Sequence, residues 1–196
     1  LALVLLSGAL SAHAATQSLT PSVQQAVAPV PVGNTASTLP EAWHKGAFAE
    51  IFVRGYRDSN GDGIGDLRGL IQSLDYLQQL GVRGIWLMPV NPSQDRDHGY
   101  AVSDYRDIEP AYGTLADFDE LLRQAHARGI GVIIDYVINH SAADNPIFLE
   151  SARSPDSPLR NWYVWKNPGP TGWTIYERNP WEATAHGSYL AQFNKN

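Results

Sequence analysis

With 196 residues, 43% hydrophobic and 17% charged, the chain can build one domain with a core, or a piece of a larger one, and disorder throughout is excluded. Fourteen Lys and Arg stand against 20 Asp and Glu, a formal net charge of -6 that repels phosphate backbones and argues against nucleic acid as a partner. The lack of cysteine excludes disulfide scaffolds, thiolate metal sites and thiol catalysis, and no apolar run reaches the roughly 18 residues of a membrane-spanning helix.

Leu1 to Leu10 (LALVLLSGAL) is apolar and Ala12-His13-Ala14 follows, the pattern of a secretory signal peptide over residues 1–14 and hence of a secreted or periplasmic protein. Residues 15–40 read as a disordered linker. From Thr16 to Pro40 there is no charge, proline recurs at Pro21, Pro29, Pro31 and Pro40, and little apolar surface falls in a regular period. Regular patterning begins after residue 41. Phe48 to Val53 (FAEIFV) predicts a strand, and Leu67, Leu70, Ile71, Leu74, Leu77 and Leu80 predict one amphipathic helix ending at Gly81. Gly84 to Met88 (GIWLM) predicts a second strand. Leu115, Phe118, Leu121, Leu122 and Ala125 predict a second helix, with Thr114 as N-cap and Gly129 as stop. Ile130 to Ile138 (IGVIIDYVI) has the β-branched continuity of a parallel strand covered on both faces. Beyond Ser141 the pattern breaks into six prolines and four tryptophans without clear period, a long excursion after strand three.

Strand, helix, strand, helix, strand is an α/β order of right-handed βαβ units, compatible with a doubly wound sheet or a (β/α)8 TIM barrel. Polar clusters follow the C-terminal end of each strand, which both architectures use for their sites. The first of these loops reads GDGIGD. Its Asp66 stands where a dinucleotide fingerprint requires its last glycine, and its acids would repel a pyrophosphate, so the barrel is favoured.

In DSNGDGIGD, side-chain oxygens recur at Asp58, Asn60, Asp62 and Asp66, and the carbonyl of Ile64 falls at the position that contributes a ligand in EF-hand-like loops. All-oxygen ligands suit Ca2+. An EF-hand itself is disfavoured, because Gly69 occupies position twelve where a bidentate glutamate belongs. The alternative is an acidic solvated turn without metal.

Three blocks, DSNGDGIGDLRGL (Asp58 to Leu70), DHGYAVSDYRDIEPAYGT (Asp97 to Thr114) and DYVINH (Asp135 to His140), together resemble the alpha-amylase family of glycoside hydrolases. The metal loop and SPDSPLRNWYVW (Ser154 to Trp165) resemble its oligo-1,6-glucosidase and trehalose synthase branch. The resemblance implies that residues 41–140 are strands one to three of the catalytic barrel and that 141–196 are part of an inserted domain B. It also implies an α-glucan or maltooligosaccharide substrate. Tyr100 would be an aromatic platform under the sugar whose bond is cut, with Asp97 accepting from its hydroxyls. His140 would donate to the 6-hydroxyl and Asp135 would support the site. Read singly, each residue has a plainer role in packing or capping.

The family's retaining mechanism uses a carboxylate nucleophile and a carboxylic acid about 5 to 5.5 Å apart. In the family these come from strands four and five, so both are expected beyond Asn196, and no catalytic carboxylate is named in the present chain. An alternative of another class is a non-catalytic alpha-glucosidase-like binding or transporter-associated protein.

Overall fold

The computed structural model describes residues 19–31, 33, 36–94, 98–172, 174–175, 177–191 and 193. The expected signal peptide and Asp97 lie outside them. The first described element is a helix, Pro21–Val27 (α1), where the sequence reading expects a disordered tether. Pro21 opens it with a preset φ, and Leu19, Val23, Ala26 and Val27 recur at helical spacing. That stripe has a partner: Val23 is buried against Ile147 and Leu159. Four apolar residues too few to hold a structure alone become ordered by docking.

Next come β1 (Ala47–Ile51), the short α2 (Val53–Tyr56), α3 (Leu67–Gln72) and α4 (Leu74–Gln79). β2 (Val82–Leu87), α5 (Leu115–Ala127) and β3 (Gly131–Ile134) complete the first unit. The strands form one parallel sheet in the order β1-β2-β3. The expected single helix up to Leu80 is divided at Ser73, whose hydroxyl donates to the Gly69 carbonyl at 3.1 Å and whose N–H turns to Leu70. A serine hydroxyl that takes a carbonyl from the helical ladder breaks its continuity.

β3 is shorter than the apolar run from Ile130 to Ile138. Asp135 N–H still donates to the Leu87 carbonyl at 2.8 Å. Given the pairing of Leu87 with Ile134, the next rung would need an N–H from Pro89, which has none.

Register assigns each face a role. Ile51, Leu87 and Ile134 share one face with Ala49, Ile85 and Val132. Much of this face joins a core with Leu67, Leu70, Leu74, Leu77, Leu121 and Ala125 from the helices, each buried Leu contributing about 1.5 to 3 kcal/mol. The opposite face carries two rows, Phe48-Gly84-Gly131 and Glu50-Trp86-Ile133. The first row is closed over: a Cβ on Gly84 would lie 2.2 Å from the Phe48 ring, and one on Gly131 would lie 2.1 Å from Trp43. Only glycine leaves room for those two rings, which meet at 5.7 Å. The second row stays open, with Trp86 and Ile133 each 43% exposed.

α5 begins as the sequence predicts. Thr114 and Asp117 form a reciprocal capping box. Asp117 Oδ1 also accepts from Arg68 Nε at 2.7 Å, tying α3 to the start of α5.

Beyond β3, α6 (Pro146–Arg153) leads to a second sheet of β4 (Trp165–Lys166), β5 (Trp181–Thr184) and β6 (Gly187–Leu190), antiparallel in the order β4-β6-β5. Its centre is aromatic. Phe148 stacks on Trp165 at 6.1 Å and meets Tyr189 edge-on at 4.9 Å, while the Arg160 guanidinium lies 3.5 Å above the Trp165 ring.

Candidate functional site

The loop after β2 returns on itself as a short ribbon. Ser93 and Val102 pair antiparallel. Gln94 N–H donates to the Ala101 carbonyl and Ser103 N–H to the Pro92 carbonyl, both at 2.9 Å. This ribbon carries Tyr100 to the end of β3, where its hydroxyl reaches Oδ2 of Asp135 at 3.4 Å. The tip of the ring is anchored while the side chain stays partly open to solvent. Burial pushes the Tyr100 phenol up and the nearby Asp135 carboxylate adds to the effect, so the hydroxyl keeps its proton and donates. Asp97, also named from the sequence, lies outside the described residues.

His140 ends the turn that follows β3. Its ring packs on Phe193 with centroids 4.7 Å apart, and its Nδ1 lies 3.2 Å from the Asn139 amide nitrogen. An amide nitrogen only donates, so Nδ1 accepts in that contact and Nε2 is left as the ring's donor. The turn itself is held by Tyr105, whose hydroxyl lies 2.8 Å from the Val137 carbonyl and 2.7 Å from the His140 carbonyl. Burial, with Tyr163 and Tyr136 beside it, pushes the Tyr105 phenol up to about 12.

Sequence reasoning singled out Tyr100, Asp135 and His140 and missed their supports. Tyr105 sits inside the quoted block, but nothing local marks its hydroxyl as reaching across to the next loop. Phe193, which packs on the His140 ring, gave no periodic signal either. Asp104 and Asp107 act as local turn residues, accepting from the N–H groups of Arg106 and Ile108 at 2.8 Å each.

The acidic loop is wound by its own side chains. Asp58 accepts from the N–H groups of Asn60 at 2.9 Å, Gly61 at 2.7 Å and Gly63 at 2.8 Å. Asn60 accepts from Asp62 N–H at 2.9 Å, and Asp62 from Ile64 N–H at 2.7 Å. Asp66 is bound by Ser59 through N–H and hydroxyl and by Gly69 N–H at 2.7 Å, the last capping α3. The Gly63 and Gly61 N–H groups hold the Asp58 carboxyl below its ordinary range. Burial pushes Asp66 up, but the Gly69 and Ser59 hydrogen bonds outweigh it and the net displacement is downward. Side-chain oxygens thus recur on alternate residues of one curled loop, and a carboxylate oxygen that accepts one N–H keeps a lone pair free. Among the described residues no three His, Asp or Glu side chains gather as a metal site. A cation in this loop would therefore have to draw Asp58, Asp62 and Asp66 inward to join the Asn60 amide and the Ile64 carbonyl, and an all-oxygen set of that kind suits a hard ion.

Comparison with known proteins decides the family. Residues 50–196 match the model of the alpha amylase catalytic domain. The chain belongs to the alpha-amylase family. It is 47% identical over 146 residues to an oligo-1,6-glucosidase of Parageobacillus thermoglucosidasius, covering 74% of this chain and 25% of that protein. Among solved structures it resembles a trehalose-6-phosphate hydrolase of Bacillus licheniformis, with 38% identity, a TM-score of 0.72, and coverage of 78% of this chain and 29% of that one. It also resembles MutB in complex with the substrate sucrose, with 37% identity, a TM-score of 0.72, and coverage of 80% and 29%. The chain thus spans under a third of the length of these alpha-amylase relatives. Its three βα units are the first three of the family's (β/α)8 barrel, followed by part of an inserted domain, and the match lies in the branch that the metal-loop motif suggested. Among the described residues no helix is long and apolar enough to cross a membrane.

Proposed function

We propose that this chain supplies the sugar-gripping part of a secreted or periplasmic, retaining glycoside hydrolase that cleaves α-glucosidic bonds in maltooligosaccharides or related α-glucans. The observation that carries the reading is the contact of Tyr100 with Asp135, which sets an aromatic ring across the C-terminal ends of neighbouring strands. A pyranose presents an apolar C–H face that such a ring covers, and its hydroxyls need acceptors at the edge. Asp97 is read from its motif as one such acceptor. His140 donates from Nε2 to a sugar hydroxyl and so holds the sugar in place as the oxocarbenium-like transition state forms. Asp135 accepts from Tyr100 and so fixes the tilt of the platform. The nucleophile and the general acid, about 5 to 5.5 Å apart in a retaining enzyme, belong to later strands of the barrel.

The acidic loop is read as a calcium site held by Asp58, Asn60, Asp62, the Ile64 carbonyl and Asp66. Bound calcium would neutralise the loop's carboxylates and brace the connection from α2 to α3. Secretion rests on the apolar opening segment and its Ala-His-Ala pattern.

The test is kinetic, on the full-length protein with maltotriose and isomaltose as substrates. Turnover is expected, and His140→Ala should lower kcat/KM by about 10²-fold with little loss of thermal stability. Undiminished turnover in His140→Ala would contradict the site. Absence of turnover in the wild type, with sugar binding retained, would favour the non-catalytic reading.

A further inference from the structure

The turn that carries His140 is braced from two sides, and both braces lead to α1. On one side Tyr105 bridges the Val137 and His140 carbonyls. Its neighbour Arg106 reaches the last carbonyls of α1, donating to Ala26 at 3.1 Å and also to Ala28. A guanidinium at a helix C-terminus satisfies orphan carbonyls and opposes the dipole's negative end. On the other side Ser141, which follows His140, shares a 2.7 Å hydrogen bond with the Tyr163 hydroxyl. Tyr163 packs in turn on the cluster in which Val23 of α1 is buried with Ile147 and Leu159.

Resting on the functional reading above, we infer that α1 is a strap that positions His140: docked on α6 and hooked by Arg106, it fixes the Tyr105 and Tyr163 braces that orient the turn. Tyr105 and Arg106 are positioning residues, since they hold backbone and helix rather than sugar. Their effect falls on the transition state, because a group that donates there loses far more from a displacement of about 1 Å than substrate binding does. α1 engages Arg106 and the cluster beneath Tyr163 rather than Tyr100 or Asp135, so KM is largely insulated from it.

The experiment uses the full-length enzyme and three variants. Val23→Asp puts a charge into the apolar cluster and undocks α1, Val23→Ile keeps the docking, and Tyr105→Phe removes the bridging hydroxyl alone. Readouts are kcat and KM on p-nitrophenyl α-glucoside, protease cleavage within residues 19–31, and the NMR signal of the His140 ring, assigned with His140→Ala. In Val23→Asp, kcat should fall about tenfold with KM within about twofold, residues 19–31 should become cleavable, and the His140 signal should shift. Tyr105→Phe should shift the same signal, the double variant should be no slower than Tyr105→Phe alone, and Val23→Ile should match the wild type. If Val23→Asp does not fold, Arg106→Gln serves for the same comparison. Undocked α1 with unchanged kcat and an unchanged His140 signal would overturn the strap. A wild type without glucosidase turnover would overturn the functional reading instead, and the His140 signal would still decide the strap.

Discussion

The Tyr100 hydroxyl lies 3.4 Å from Oδ2 of Asp135, joining residues 35 apart in sequence, one on the loop after β2 and one at the end of β3. In the proposed function, face and hydroxyl of this tyrosine have separable duties, the face covering a sugar and the hydroxyl fixing the tilt. Tyr100→Phe in the full-length enzyme should therefore cost only about threefold in kcat/KM, whereas Tyr100→Ala should cost about 30- to 100-fold, corresponding to the loss of a well-packed aromatic contact. Equal losses in the two variants, measured on maltotriose, would show that the ring face carries no substrate.

Asp117 joins three features: it closes the capping box of α5, accepts from Thr114 and receives Arg68. Replacing it with Ala should destabilise the protein by about 1 kcal/mol, the usual cost of a lost cap, read from urea unfolding. The Arg68 guanidinium, then the Thr114 hydroxyl, hold its carboxyl below the ordinary value. A depressed carboxylate stabilises the fold above its unfolded pKa of about 4 and loses that contribution as pH falls through the lower folded value. Asp117→Asn should accordingly be less stable at neutral pH and decline less steeply below about pH 4. Parallel pH profiles for wild type and Asn variant would contradict this.

How much of this arrangement the sequence discloses depends on how local the cause is. Thr114 caps α5 through a residue three positions on, and the spacing shows it. The alternating strands and helices are visible because one face of each must be apolar. The end of β3 is not visible in its own residues, because the partner strand's Pro89 withholds the next N–H. Nor does the leucine stripe from Leu67 to Leu80 reveal the break at Ser73, where a hydroxyl competes for a carbonyl. The α1 stripe of Leu19, Val23, Ala26 and Val27 was present in the sequence, yet it becomes meaningful only against Ile147 and Leu159. Tyr100, Asp135 and His140 stand out through family motifs, whereas Tyr105 is recognised only once its hydroxyl is seen on two carbonyls of another loop.

Calcium should raise the melting temperature of the full-length protein, because an ion that binds only the folded loop stabilises by mass action. At a free concentration of about 100 times Kd the gain is about 2.7 kcal/mol. Calorimetry after chelation and again after adding calcium should show the rise, and Asp62→Ala should abolish it. A melting temperature indifferent to calcium would remove the metal from the acidic loop.

The row of Glu50, Trp86 and Ile133 stays partly open, and β3 has a strand partner on one side only, within the described residues. Residues 41–196 expressed alone should aggregate or bind a hydrophobic dye strongly, and should not turn over glucosides, since a bare parallel edge and an apolar face invite association. A monomer with well-dispersed amide signals and no dye binding would contradict the barrel placement of this face.

The most direct test of the central claim is proton NMR of the sugar released in the first minutes of maltotriose cleavage by the full-length protein. A retaining α-glucoside hydrolase releases the α-anomer first, and the β-anomer then grows in by mutarotation. Initial release of the β-anomer, or no cleavage of any α-glucoside, would contradict the claim.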